Sequence, residues 1–221
     1  MKIDQIIRTK RKTYALIVEP DGRLIVRAPL QAPDSDIKKL VERKASWIKA
    51  KQKQVRTASS RRGRIEFVNG EGFLYLGRFY KLALVDGAES LLVLKDQFYL
   101  SIYALPKADS TFDNWYKKQA LRLISERVEW YAEKNGFKYQ QVKITSAKKR
   151  WGSCGSKGGL NFSWRLVMAP LRVIDYVVIH ELVHLEVKNH SNAFWDKVKT
   201  LMPDYKKQIA WLKKNGQMLE L

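Results

Sequence analysis

The sequence predicts an α+β fold in which short strands crowd the amino-terminal half and helices the carboxy-terminal half. Before residue 105, short apolar stretches alternate with polar residues and are bounded by Gly, Asp or Pro. From residue 106 the apolar spacing is mainly helical. All three histidines of the 221-residue chain stand within eleven residues, His180 to His190, on one of those helical stretches. The chain therefore reads as a β-rich region with one helix over 1–105 and a helix-bearing region over 106–221.

Residues 13–18 and 24–27 flank Pro20-Asp21-Gly22, a turn sequence, and predict a hairpin. Residues 34–54 have helical spacing through Ile37, Leu40, Val41, Ala45 and Ile48, and 56–61 read as an exposed loop. Strands follow near 73–85, 91–94 and 98–102, with Asp86-Gly87 as a turn. Residues 110–135 predict a long helix through Trp115, Leu121, Ile124, Val128 and Tyr131, ended by Asn135-Gly136. Strands at 142–145 and 159–164 surround a glycine-bearing loop, and Pro170 opens the histidine-bearing helix. Helices at 191–201 and 204–214 follow, with Phe194, Trp195 and Trp211 as core aromatics.

On an α-helix positions i and i+4 lie above one another, so His180 and His184 present two imidazoles to one ion. Glu181 stands one residue round from His180, where a carboxylate reaches a water on the ion without displacing either ring; it is placed as a general base. A catalytic zinc needs a third protein ligand, and His190 is too far along for the same helical face. Lys188-Asn189 is the predicted helix stop, since Asn tolerates a left-handed backbone; Ser191 then caps the next helix and His190 swings back. The string H-E-x-x-H also arises by chance in amphipathic helices. Here Val177-Val178-Ile179 and Leu182-Val183 predict a buried helix, whose imidazoles and carboxylate need partners. A metal supplies them, and a hydrogen-bonded core histidine pair is the alternative.

Lys and Arg number 42 against 22 Asp and Glu, for a formal net charge of +20 and a pI near 10.0. Two accounts fit. Clusters at Arg8-Thr9-Lys10-Arg11-Lys12, Arg61-Arg62-Gly63-Arg64 and Lys148-Lys149-Arg150 suit a nucleic acid or another polyanion. Solvated helix faces, as at Lys38-Lys39, need no partner. Zinc-finger, RRM and basic-zipper patterns are absent. No run reaches the length of a membrane span and the start lacks the regions of a signal peptide, so a cytoplasmic protein without a membrane partner is expected. The single cysteine, Cys154, excludes an internal disulfide. With every histidine committed it also lacks the base a nucleophile needs, and it reads as structural.

Lys149-Arg150-Trp151-Gly152-Ser153-Cys154, Leu160-Asn161, Ile174 through Leu182 and Asn189-His190-Ser191 with Phe194-Trp195 together resemble the YgjP-like zinc metallohydrolases, relatives of SprT-like and WLM proteases. The similarity spans most of the chain, including Ala28-Pro29 and Trp47-Ile48. It implies a zincin-like core, with an active-site helix beside a small sheet, and His180, His184 and His190 as Zn2+ ligands. Metzincins share the histidine spacing but carry glycine where this chain has Val187, and no later Met-turn is present.

The expected chemistry is hydrolysis of a peptide or protein substrate, with Glu181 moving the proton and zinc polarising the carbonyl. Strand 159–164 is the expected site for an added peptide strand, which makes Asn161 a candidate substrate contact. Arg150 and Tyr205 are the candidate oxyanion donors, and each also has a structural reading, as an ion pair and as packing beside Pro203. Two rival functions stand beside this one. The same chemistry could act on a nucleotide or polyphosphate, which the positive charge favours. A nucleic-acid-binding module with structural zinc is the other, opposed by the lack of a fourth strong ligand.

Overall fold

The computed structural model describes residues 2–19, 22–61, 65–87 and 90–219. Two compact units divide at Glu66/Phe67.

In the first unit β1 (Gln5–Thr9), β2 (Ala15–Val18) and β3 (Leu24–Pro29) form a sheet with β3 central, antiparallel to β2 and parallel to β1. The predicted hairpin is present, with Val18 opposite Leu24 and Gly22 at a φ of 88°; Pro20 and Asp21 lie outside the described residues. β1 was not expected, because Gln-Ile-Ile-Arg-Thr shows no alternation. Leu24, Val26 and Ala28 of β3 point one way, as period two requires, and pack with Ile37, Val41 and Ile48. Those residues come from α1 (Asp34–Arg43) and α2 (Ala45–Arg61), so the single predicted helix is two, broken at Lys44. The loop predicted at 56–61 is helical backbone, since neither Gly nor Pro stands in 54–61 to stop propagation. Of the basic clusters, Arg8 bonds the Ala32 carbonyl and Asp34, and Arg62, Gly63 and Arg64 lie outside the described residues.

In the second unit β4 (Gly72–Tyr75), β5 (Arg78–Val85), β6 (Leu92–Leu94) and β7 (Phe98–Ser101) form a sheet in the order β4-β5-β7-β6. The strands predicted near 73–85 form a hairpin, turned at Leu76 and Gly77, both with positive φ (49° and 78°). Its tip is tied to the turn Trp164–Met168: Leu76 N–H donates to the Val167 carbonyl at 2.8 Å and Gly77 N–H to that of Met168 at 2.9 Å. A Cβ on Gly77 would lie 2.8 Å from Pro170 Cγ, so glycine serves both the turn and the approach.

Helix α3 (Ala108–Asn135) ends at Gly136, φ 73°, as predicted. Phe112, Tyr116, Ala120, Ile124 and Val128 recur every fourth residue and are buried. Phe112 stacks on Phe73 at 4.1 Å and Tyr116 on Trp164 at 5.7 Å, while the Tyr116 hydroxyl donates to the Leu74 carbonyl at 2.8 Å. The strands before residue 105 therefore belong with the helices after it. The boundary expected at 105 is a change of element type, not of packing, and the chain divides at 66 instead.

A third sheet holds β8 (Gln141–Thr145), β9 (Gly152–Cys154) and β10 (Gly159–Ser163) in the order β8-β10-β9. β9 falls in the predicted glycine-bearing loop, where three small residues give no strand pattern. Beside it lies α4 (Leu171–Val183), followed by α5 (Asn192–Leu201) and α6 (Tyr205–Asn215). The architecture is the expected α+β one, a helix against a small sheet in a zincin-like core. Among the described residues no helix is long and apolar enough to cross a membrane.

Candidate active site

Helix α4 is buried on nearly all sides, and that makes its polar residues informative. Asp175 is 5% exposed and accepts two hydrogen bonds from Arg127 of α3, at 2.6 and 3.1 Å. This pair fastens α4 to its neighbour. Glu181, likewise 5% exposed, has no such clamp among the described residues. Its carboxyl lies against Gly152 of β9, where an added Cβ would come within 2.6 Å of Oε1, and it accepts a hydrogen bond from the Cys154 backbone. Burial pushes the carboxyl up to about 7, opposed by the Arg150 charge and the Cys154 bond.

The helix ends at Val183, short of the predicted stop. Leu185 and Glu186 N–H bond the Leu182 and Val183 carbonyls at 3.0 and 3.1 Å, turning the chain early. Asn189 keeps a negative φ, contrary to expectation, and its side chain accepts a hydrogen bond from Ser191 N–H at 3.2 Å. Ser191 stands at the N-cap of α5 but makes no side-chain cap bond.

The turn brings His190 back. Its Nε2 lies 3.1 Å from His180 Nε2 and 3.2 Å from His184 Nε2. Two tetrahedral ligands about 2.0–2.1 Å from one zinc stand roughly 3.3–3.4 Å apart, so the three nitrogens fit a shared ion. The outer ring nitrogens are engaged: His184 Nδ1 donates to the Val187 carbonyl at 3.0 Å, and His180 Nδ1 meets the Tyr176 hydroxyl at 3.4 Å. With Nδ1 of His184 holding the proton, its Nε2 lone pair faces inward. Burial, with His184 and His190 adding, pushes His180 down to about 3, and burial also lowers His184. Burial thus favours the neutral form of both rings, the form that binds a metal. Phe194, fully buried as predicted, supports all three rings at 4.5–4.9 Å, and Trp195, half-buried, stacks on His190 at 5.7 Å.

The remaining candidates are more scattered. Arg150 is exposed in the segment before β9, with Lys148 and Lys149, and its charge reaches Glu181. Tyr205 is buried and stacks on Trp195 at 5.5 Å. Asn161 sits across the sheet from Ser153, Nδ2 3.5 Å from Oγ. β10 pairs with β8 on one side and β9 on the other, so it cannot accept a peptide strand as expected; β8 and β9 are the edges of this sheet, and β9 is the one beside α4. Burial pushes the Cys154 thiol up, in keeping with a structural role. Tyr176 and Gly152 were not singled out for a role, although Tyr176 precedes His180 by one helical turn.

The solved metallopeptidase zymogen of Pyrococcus abyssi abylysin is similar at 21% identity and a TM-score of 0.38, covering 41% of this chain and 93% of that one. No curated protein matches. The model of the YgjP-like metallopeptidase domain matches residues 12–215, nearly the whole chain. The histidine cluster, able to hold a metal and formed where α4 ends beside a small sheet, lies within this metallopeptidase domain, and the chain belongs to the YgjP-like family.

Proposed function

We propose that this chain is a zinc-dependent peptidase in which His180, His184 and His190 hold the ion and Glu181 is the general base. The observation that carries the reading is that His190 Nε2 stands 3.1 and 3.2 Å from the Nε2 atoms of His180 and His184, next to a buried carboxyl that no guanidinium clamps among the described residues. Zinc bound there supplies a Lewis acid that polarises the scissile carbonyl and acidifies water.

The chain's own residues supply the rest. Glu181 accepts the proton of the attacking water and delivers it to the leaving amine; a carboxyl pushed up to about 7 suits both transfers near neutral pH. Tyr176 and the Val187 carbonyl hold the His180 and His184 rings in place. The open edge of β9 receives the substrate backbone, and Gly152 keeps that edge close to Glu181. Asn161 braces β9 from behind through Ser153. Arg150 is the oxyanion donor favoured here, because its charge acts at Glu181 and its side chain is exposed, whereas Tyr205 is buried against Trp195.

The test pairs elemental analysis with hydrolysis. One zinc per chain is expected, falling by at least about tenfold in affinity in His190→Ala. Zinc-loaded protein should cleave unfolded protein and leave nucleoside triphosphates intact. Full zinc retention in His190→Ala removes the third ligand, and cleavage of triphosphates alone replaces the peptidase reading.

A further inference from the structure

Beside the Glu181 carboxyl lies a cavity of about 420 Å3. His180 and Glu181 form one wall, so a group seated there is within reach of the reacting centre. The other walls are apolar or aromatic, from Trp151, Tyr176, Val177, Ile209 and Leu212, with Lys213 as the one cation. The volume exceeds that of any single side chain.

A second cavity of about 390 Å3 adjoins it, sharing Ile209 and Lys213 and bounded by the stacked Trp195 and Tyr205. Lys213 thus stands between the two hollows, the second of which also carries Lys206. It is exposed and has no acidic partner among the described residues. The segment 205–215 carries four lysines and no acid. Asp204, just before it, is taken by Arg172 at 2.7 Å and Gln208 at 3.1 Å. The walls are also fixed in place: a Cβ on Gly216 would lie 3.0 Å from the Trp151 ring, so the turn after α6 holds that indole closely.

We infer that the 420 Å3 cavity is a substrate side-chain pocket, taking a bulky apolar residue that flanks the scissile bond, and that Lys213 binds a carboxylate on the adjoining residue. This deepens the peptidase reading and rests on it for what is cut. An aromatic or long aliphatic side chain is the occupant that uses these walls, since its burial is favourable and a polar one would leave groups unpaired. The carboxylate comes either from an Asp or Glu side chain or from the carboxy-terminus of the substrate.

The experiment measures binding without turnover, using the full-length zinc-loaded Glu181→Gln protein and short fluorescent peptides that differ at two neighbouring positions. Phe-Glu should bind more tightly than Ala-Glu by about tenfold or more, the worth of a buried large side chain. It should bind more tightly than Phe-Lys by about tenfold, and Lys213→Glu should reverse that second preference. Lys207→Glu makes the same charge change on an exposed residue of α6 that lines neither cavity, and should leave both preferences within about twofold. Peptides ending in Phe with a free or an amidated terminus separate the two carboxylate sources. Equal binding of Phe-Glu and Ala-Glu overturns the pocket, and equal effects of the two lysine changes overturn the role of Lys213. Selective binding without cleavage by the unaltered protein would fault the peptidase reading and leave the pocket standing; cleavage without selectivity would do the reverse.

Discussion

Helix α4 buries a carboxyl in each half, Asp175 near its start and Glu181 near its end, and both are 5% exposed. Asp175 faces a guanidinium that donates twice to it, and Arg127 is itself held over the Trp130 and Tyr131 rings at 5.0 and 5.3 Å. Glu181 has one backbone donor, a glycine where a side chain would otherwise stand, and a cavity in front. Equal burial therefore serves two ends. A carboxyl satisfied by a charged partner is an anchor, and one left short of partners becomes a group that can take and give a proton.

Removing each carboxyl in turn should break the comparison in opposite directions. Glu181→Gln should keep zinc and lower hydrolysis by about two to four orders of magnitude, with little change in thermal midpoint. Asp175→Ala should cost about 3 kcal/mol or more in denaturant unfolding, because Arg127 is left unpaired, while the rate per folded molecule stays near that of the parent. Loss of activity without loss of stability in Asp175→Ala would show that the two halves are not separate in role.

A finer probe is Gly152→Ala, which adds one methyl group against the Glu181 carboxyl. Displacing the base by a fraction of an ångström or more should lower kcat by about tenfold to a hundredfold with zinc retained. An unchanged kcat would mean that β9 does not set the position of Glu181. The smallest effect is expected from Tyr176→Phe, which removes the hydroxyl meeting His180 Nδ1. Zinc affinity should fall by about tenfold, with a modest change in rate at saturating metal. No change in affinity would remove Tyr176 from the support of the site.

The two proposed ligands one turn apart and the proposed base beside them share a region of one helix, which helical periodicity makes legible in the sequence. His190 could be placed only by what a third ligand requires, since the turn that delivers it follows from bonds to the Leu182 and Val183 carbonyls. Apolar Leu185 and Val187 continue the helical pattern past the real end, which hid that turn. β9 was invisible for the opposite reason: Gly-Ser-Cys has no pattern, and the strand exists because it pairs with β10 and packs against α4. The predicted division at 105 followed element type, whereas the Phe73–Phe112 stack that joins those regions depends on residues far apart in sequence.

The clamp of the Leu76-Gly77 tip onto Val167, Met168 and Pro170 bears on how far this chain can be shortened. Pro170 has no N–H and α4 begins immediately after it, so the start of that helix is held by a hairpin remote from the three histidines. A shortened protein beginning at 106 would contain every proposed ligand and still lack that hold, leaving the apolar faces of α3 and the 164–168 turn uncovered. A fragment that keeps this hold must include the hairpin of β4 and β5, which lies within the compact unit beginning at Phe67.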